Sequence, residues 1–372
     1  MKKVCHITST HQRYDIRIFH KECKSLVRGG YDVTLLVNDD LEDEIIEYVN
    51  IISINKSFKN RIERIMNSSR IIFSKAKEID ADMYHLHDPE LLFMVKKLKK
   101  LGKKVVFDSH EDYYSQIKQK EYIPKIARRI IAKAYKVVEN NACKYLDAAI
   151  FPCEIKGKHP FENRVEYYEF IDNTPIIDEN EMFDRRHNCN KNIVCCVGSL
   201  TKERGIETLV EACYKAGVRL ILAGRFYPDS FELYLKGKKE YSVVDYRGIC
   251  NRKEVIEIYK EAFIGASNLL YKGQYPTASN LPTKVYEYMM MSMPFIISDF
   301  NYYRRVINKY NCGLIVEPDN VDSVASAIIY LMNNSEEAIQ MGIAGRKAVE
   351  EHFNWGKEEK KLYDLYKKIE ER

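Results

Sequence analysis

Residues 193–223 read IVCCVGSLTKERGIETLVEACYKAGVRLILA. The run Ile193–Val197 is apolar and ends at Gly198. A polar turn follows, then Ile206–Ala216 with apolar residues at helical spacing. Gly217 closes that segment, and a second apolar run spans Arg219–Ala223. Both predicted strands are continuously apolar rather than alternating, as parallel strands covered on both faces must be. This strand–helix–strand unit decides the fold class, because parallel neighbours need a crossover helix between them.

The same rhythm extends in both directions. Toward the C-terminus it predicts strands at Ser242–Tyr246, Ile264–Leu269, Phe295–Ile297 and Gly313–Val316. Helices are expected at Glu254–Ala262, Lys284–Met291, Val321–Met332, Ser335–Glu351 and Lys357–Glu370. Toward the N-terminus the strands are Val4–Thr8, Val33–Val37, Met83–Leu86, Val105–Asp108 and Ala148–Phe151. The helices between them are Ile18–Arg28, Arg61–Lys77, Leu91–Leu101 and Pro124–Tyr145. Phe170–Asn192 is polar, aperiodic and carries Pro175, so it reads as the connection between two halves. The expected fold is α/β, with two doubly wound Rossmann-like domains. Residues 1–172 form the first and 173–353 the second, with 354–372 a C-terminal helix returning to the first.

Composition narrows the class. The chain has 372 residues, 45% of them hydrophobic and 30% charged, as an ordinary globular protein does. Its longest uncharged run, Ser323–Ser335, is thirteen residues. A membrane span needs about 20 apolar residues. The apolar stretch behind Lys2 and Lys3 is too short for a secretory leader, so a cytoplasmic protein is expected. Ten cysteines show no CxxC pair and no Cys/His ligand spacing, so no metal is expected. Cys5, Cys195 and Cys196 read as small core residues. The net charge of +5 lies wholly in residues 1–173, which hold 31 basic and 26 acidic side chains. Within them Lys56–Lys136 has 20 basic and 10 acidic residues. That excess suits a solvated surface or an anionic partner. The basic, amphipathic segment Ile123–Lys136 suits an interfacial helix or a packed helix with a solvated face. The aromatic-and-basic interleaving of an RNA-binding sheet is missing, which argues against nucleic acid.

Ligands of doubly wound sheets bind beyond the carboxyl ends of the strands. In the first half the loop after strand one, Ser9–Arg17, has no glycine, so a dinucleotide fingerprint is disfavoured. His11, His87 and His110 all follow strands and project from one sheet edge, with His110 the first choice for a functional role. Asp88 before Pro89 reads as a helix N-cap, and the acidic run Asp39–Glu47 as a solvated loop. In the second half Gly198 permits a tight turn before a helix N-terminus, with Lys202 and Arg204 beside it. Gly224-Arg225 ends the next strand in the same way. A Gly/Pro/Ser/Asn loop then leads through Leu281, Pro282 and Thr283 into a helix with Lys284 at its start and Glu287 one turn on. Such a helix start suits phosphate, and a carboxylate one turn along suits a vicinal diol such as a ribose. The methionines Met289, Met290, Met291 and Met293 read as core filler.

LPTKVYEYMMMSMPFIISD at 281–299 resembles the signature of the retaining nucleotide-sugar glycosyltransferases of family 4, which have the GT-B fold. VGSLTKERGIETLVEA at 197–212 resembles a second motif of the same family. The opening HITSTHQRYDIRIFHKECKSLVRGGYDVTLLV, HLHDPELL and VVFDSHEDY resemble a subgroup among bacterial surface-polysaccharide enzymes. The resemblance implies two domains facing a cleft, with C-terminal helices packing back toward the first. It implies that Glu287 holds the donor ribose. Lys284, Arg204 and the amides near Leu281–Thr283 would cradle the diphosphate, and His110 would lie beside the donor sugar. Gly198, Ser199, Lys202 and Arg225 fall on the donor side, and His11, Asp15, Arg17 and His87 on the acceptor side. Ser199 replaces the family's usual basic residue, and Ser279 the first carboxylate of its E-x7-E pattern.

The implied activity is metal-independent, retaining transfer of a sugar from a UDP- or GDP-linked donor, with no cofactor. The acceptor would be a glycan or polyprenyl-diphosphate-linked hydroxyl, and an anionic inner membrane face a further partner. Two alternatives stand beside it: a nucleotide-sugar epimerase of the same fold, and a non-catalytic nucleotide-sugar-binding subunit.

Overall fold

The computed structural model describes residues 1–56, 61–120, 123–177 and 190–371, and the side chains of all of these except 61–68 and 119. Cys189 and the middle of the predicted connection lie outside the described residues. The chain forms two compact units. Unit 1 is Met1–Asn173 with Trp355–Arg372, and unit 2 is Thr174–Asn354.

Unit 1 is built on an eight-stranded sheet in the order β3-β4-β2-β1-β5-β6-β7-β8. The strands are β1 Lys3–Ile7, β2 Asp32–Val37, β3 Glu44–Ile46, β4 Val49–Ser53, β5 Met83–Leu86, β6 Lys104–Asp108, β7 Ala148–Phe151 and β8 Tyr167–Phe170. All neighbours are parallel except β3 and β4, which form an antiparallel pair. The acidic run 39–47 is therefore not simply a solvated loop. Glu44–Ile46 is a strand, and Asp39 and Glu44 both hold the buried Arg13, at 2.8 and 2.6 Å. Burial of that guanidinium needs paired carboxylates, which an exposed loop would not supply.

Unit 2 has a six-stranded parallel sheet ordered β11-β10-β9-β12-β13-β14. Its strands are β9 Asn190–Val197, β10 Arg219–Ala223, β11 Val244–Gly248, β12 Ala262–Ser267, β13 Phe295–Ser298 and β14 Leu314–Val316. Strand order reverses between β1 and β5 in unit 1 and between β9 and β12 in unit 2. Each unit is thus doubly wound with one topological switch point. The four methionines at 289, 290, 291 and 293 pack in one unit 2 core with Tyr288, Phe295 and Val349.

Of the two final helices, Ser335–Glu351 belongs to unit 2, and Trp355–Glu370 packs on unit 1. Trp355, Leu362, Leu365, Tyr366 and Ile369 join the core formed by Val4, Leu35, Val106 and Ile150. The unit 1 helix predicted at 18–28 starts as a π-helix, Ile16–Cys23, before the short α-helix Lys24–Arg28. Its wider turn is capped by Asp15, whose carboxylate accepts from the amides of Arg17 and Ile18 at 2.8 and 2.9 Å. π-turns of this kind recur at functional sites.

Candidate functional site

Beside the switch point of unit 2 the ends of β9 and β10 touch backbone to backbone. Gly198 has φ +111 and Gly224 φ +136, and a Cβ on Gly224 would fall 1.9 Å from the carbonyl oxygen of Gly198. Beneath this turn runs the side chain of Lys284, its Cε 4.0 Å from where a Gly198 Cβ would stand. Lys284 is buried and ends 3.3 Å from the Cys196 thiol. It enters from the helix Thr283–Met290, for which Pro282 is the N-cap. The amide of Leu281 donates to the Tyr286 hydroxyl at 3.4 Å, and the Leu281 side chain is core. The amides of Thr283 and Lys284 stand first in the helix and have no carbonyl one turn behind them. Helix start, ammonium and two glycine turns thus converge on a place suited to an anion.

One turn along the same helix, Glu287 is held from both sides. Its Oε1 accepts from Arg252 Nη1 at 2.7 Å and its Oε2 from the Tyr259 hydroxyl at 2.5 Å. Burial, with the Glu287 charge beside it, pushes the Tyr259 phenol well above its usual range, so it remains a donor. Neither Arg252 nor Tyr259 is legible from motif spacing, because both lie about thirty positions upstream on another helix. The carboxylate keeps part of its surface exposed, with lone pairs free for a diol.

Arg204 ends the 3-10 turn Lys202–Arg204 and is half-buried. The following Gly205, at φ +67, packs so tightly on Asn268 beyond β12 that a Cβ would fall 2.1 Å from its carbonyl oxygen. Asn268 Nδ2 donates to the Gly205 carbonyl at 3.0 Å. The Arg204 turn is thereby pinned to the switch point. Ser199 and Thr283 are exposed, Lys202 lies 3.5 Å from Glu207, and Arg225 is mostly exposed, 4.0 Å from Asp229.

In unit 1, the switch point is dressed with histidines and carboxylates. Asp88 follows β5 and stands at the N-cap of the 3-10 turn Pro89–Leu91, as the Asp-Pro pair predicts, but its side chain makes no cap hydrogen bond. It reaches across to the loop after β1, accepting from Thr8 Oγ1 at 2.7 Å, from the Ser9 amide at 2.6 Å and from the Thr10 hydroxyl. The physical reason is burial: a carboxylate shielded from water takes the densest set of donors within reach. His11, His87 and His110 do come together. The rings of His11 and His110 are 4.8 Å apart, those of His87 and His110 5.4 Å. His11 Nδ1 lies 3.2 Å from Asp15. Burial opposes its charge, yet the carboxylates of Asp15 and Asp88 outweigh burial and raise its pKa. His87 is fully buried, and burial lowers it to about 4.

Arg17 is buried rather than presented on a loop. Its guanidinium clamps Asp108 at 2.8 and 3.0 Å and donates to the Ile171 carbonyl at 3.0 Å. Asp108 in turn lies 3.3 Å from His110 Nε2. Sequence reasoning missed Asp108, and with it His6, His85 and Glu22, which lie behind His87. A signal was present: His85 on β5 and His87 just beyond its end stand two apart in an extended run, which puts them on one face.

Two family models match the chain. Glycosyl transferases group 1 covers residues 177–348, and Glycosyltransferase Family 4 covers residues 17–155. No curated protein matches. Among solved structures, sucrose-phosphate synthase from Thermosynechococcus elongatus is similar at TM-score 0.78 and 14% identity, covering 99% of both chains. Anabaena HepE in complex with UDP and glucose is similar at TM-score 0.73 and 11% identity, covering 99% of this chain and 100% of that one. A TarM variant of S. aureus with Fondaparinux, alpha-GlcNAc-glycerol and UDP gives TM-score 0.74 at 11% identity, with 98% and 100% covered.

Proposed function

We propose that the chain, matched by the Glycosyl transferases group 1 model over residues 177–348 and by the Glycosyltransferase Family 4 model over residues 17–155, is a glycosyltransferase that moves a sugar from a UDP- or GDP-linked donor to a hydroxyl of a glycan or polyprenyl-diphosphate-linked acceptor. The transfer proceeds with retention, needs no cofactor and needs no metal at the leaving diphosphate. The observation that carries this reading is the helix Thr283–Met290. It sets Lys284 beneath the Gly198 turn and Glu287 one turn on, partly exposed and braced by Arg252 and Tyr259. A nucleoside diphosphate asks for that pair: cations and amides for the pyrophosphate, a carboxylate for the ribose diol.

Charge decides the mechanism. When the sugar–phosphate bond breaks, the leaving diphosphate gains negative charge and the sugar becomes cation-like. Lys284, Arg204 and the open amides answer that charge from fixed positions, as electrostatic stabilisation requires. Charge-assisted hydrogen bonds contribute about 1.5–3 kcal/mol each. Two of them reach about two to four orders of magnitude in rate. Exposed Ser199 leaves room for one fewer cation than the resembled pattern has, and Lys202 or Arg225 can approach in its place. On the family resemblance His110 meets the donor sugar and His11 the acceptor side, and within unit 1 Asp15 and His87 position them. HepE with UDP and glucose and TarM with UDP make UDP-linked donors the first to try.

The experiment is incubation of the full chain with radiolabelled UDP- and GDP-sugars. Slow donor hydrolysis that is lost in Lys284→Ala supports the transferase. Tight binding with no turnover would instead support the non-catalytic subunit, and a changed sugar the epimerase.

Peripheral attachment at the inner membrane face is part of the proposal. The helix Lys125–Cys143 exposes Ile126 at 74% and Ile130 at 63%, beside the cationic Lys125, Arg129 and Lys133. Apolar anchors within a basic stripe are what an anionic interface takes up. Among the described residues no helix is long and apolar enough to cross a membrane. Sedimentation with vesicles should rise with anionic lipid content and fall in Ile126→Ser/Ile130→Ser; binding indifferent to lipid charge would refute attachment.

A further inference from the structure

We propose that unit 1 carries a buried zinc-class metal site whose ligands are His6, His85, His87 and Glu22. The parallel register pairs His6 of β1 directly with His85 of β5, and His87 follows two residues on, so three imidazoles stand on one face of the sheet. The π-helix covering that face turns Glu22 onto them. All four side chains are fully buried, and their ligand atoms lie within 4.8 Å of one another.

The distances distinguish the occupants. Glu22 Oε2 lies 3.8 Å from His6 Nδ1, 3.9 Å from His85 Nε2 and 3.8 Å from His87 Nε2. His6 Nδ1 and His87 Nε2 are hydrogen-bonded to each other at 2.9 Å, a bond that metal entry replaces. A hydrogen bond would draw the carboxylate to about 3 Å from one nitrogen. No imidazole nitrogen comes that close to Glu22, whose near neighbour is Arg17 Nε at 3.1 Å, and His85 Nε2 is without a hydrogen bond. A water among four partners would hold them about 4.6 Å apart, at its usual 2.8 Å from each. Tetrahedral zinc with bonds of about 2.0–2.1 Å needs ligand atoms about 3.3–3.4 Å apart. The four spacings above, 2.9 to 3.9 Å, bracket that value, and all the ligand atoms lie within 4.8 Å of one another, so metal entry draws the wider pairs inward.

The outer shell agrees. The far nitrogen of His85 is 2.8 Å from the Tyr366 hydroxyl. The far nitrogen of His87 is 3.2 Å from His110 Nε2 and 3.6 Å from Asp108. Ligating histidines are held in this way by their second nitrogen. Arg17 Nε lies 3.1 Å from Glu22 and donates to Asp108, so one guanidinium faces two buried carboxyl groups, which a proton or a metal cation balances. Three imidazoles and one carboxylate suit zinc and its first-row neighbours rather than calcium or magnesium. No ligand is exposed, so the metal enters during folding and its binding strengthens the fold.

The test uses the full chain, expressed with added zinc, purified without chelator and dialysed. Elemental analysis should find about one zinc per chain, falling to below about one-tenth in Glu22→Gln and His85→Gln. Should both variants fail to fold, the unaltered chain is refolded from denaturant with cobalt(II). The visible absorption of a tetrahedral cobalt site, displaced by zinc, is then expected. Zinc-free protein that refolds equally well with chelator, zinc or cobalt, with no cobalt absorption and an unchanged Tm, overturns the site and leaves a proton as the compensating charge.

Discussion

Glu287 shows how much a single side chain carries in this molecule. Its two oxygens are aimed by Arg252 and Tyr259 rather than left to solvent, so the carboxylate meets a diol without paying rotamer entropy. Glu287→Ala should weaken nucleoside diphosphate binding by about 10- to 100-fold, the loss of one charge-assisted contact. Titration calorimetry with UDP and GDP reads this directly, and an affinity equal to that of the unaltered chain would remove Glu287 from the site. Arg252→Ala should have a smaller effect of the same sign, because it removes the brace and leaves the acceptor. His11 makes a second prediction. Its pKa is raised by Asp15 and Asp88 against the effect of burial. A raised histidine stabilises the fold fully below pH 6.5, and that contribution is lost as pH climbs through the raised value. Asp15→Asn keeps an acceptor for the π-helix cap but removes the charge. NMR titration should then find the His11 pKa lowered, and the stability gap between the two proteins should close as pH rises.

At the scale of elements, the strand-end turns constrain the donor site most tightly. Gly224 has both a left-handed φ and no room for a Cβ, whereas Gly217, at φ +68, has nothing within 4 Å of one. Gly217→Ala should therefore cost about 1 kcal/mol, the left-handed strain alone. Gly224→Ala must also push the Gly198 carbonyl aside and should cost more than about 2 kcal/mol, displacing the turn above Lys284. Chemical denaturation of the two variants gives the comparison; equal losses would mean that the Gly198–Gly224 contact is slack. These turns were legible in the sequence because a glycine closing an apolar run has few other readings. The parallel strands β7 and β10 were legible for the same reason, and β1 and β5 were legible although His6 and His85 interrupt their apolar runs. The short β3 was not, since Glu44–Ile46 is too brief and too acidic to show alternation. Strand register was equally invisible. Nothing in the spacing of His6 and His85, seventy-nine positions apart, says that they are lateral neighbours. For Asp88 the local Asp-Pro signal placed the N-cap correctly, but the side chain turns to a tertiary set of hydroxyl donors from Thr8, Ser9 and Thr10 instead of the helix amides.

The whole molecule is tied together out of sequence order. Residues 174–354 form unit 2, yet the helix that follows them completes unit 1. Trp355 is buried with its indole N–H donating to Ser25 Oγ at 2.9 Å, and Glu358 accepts from the Asp172 amide at 2.9 Å. Tyr363 donates to the Ser25 carbonyl at 2.7 Å, and Tyr366 meets His85 in the centre of the unit. The apolar face of this helix fills a core that the first 173 residues leave open, so unit 1 cannot reach its final stability until the last residues are present. Trp355→Ala removes the largest of these side chains and its hydrogen bond. Such a cavity costs about 3–5 kcal/mol, a large share of the stability of one domain. Because Trp355 packs in unit 1, the loss should fall on that unit. Calorimetry of the full chain should show one transition moving down by several degrees while the other, assigned to unit 2 by its upward shift with bound nucleotide, stays in place. A single transition in which both units fall together would show instead that they unfold as one cooperative body.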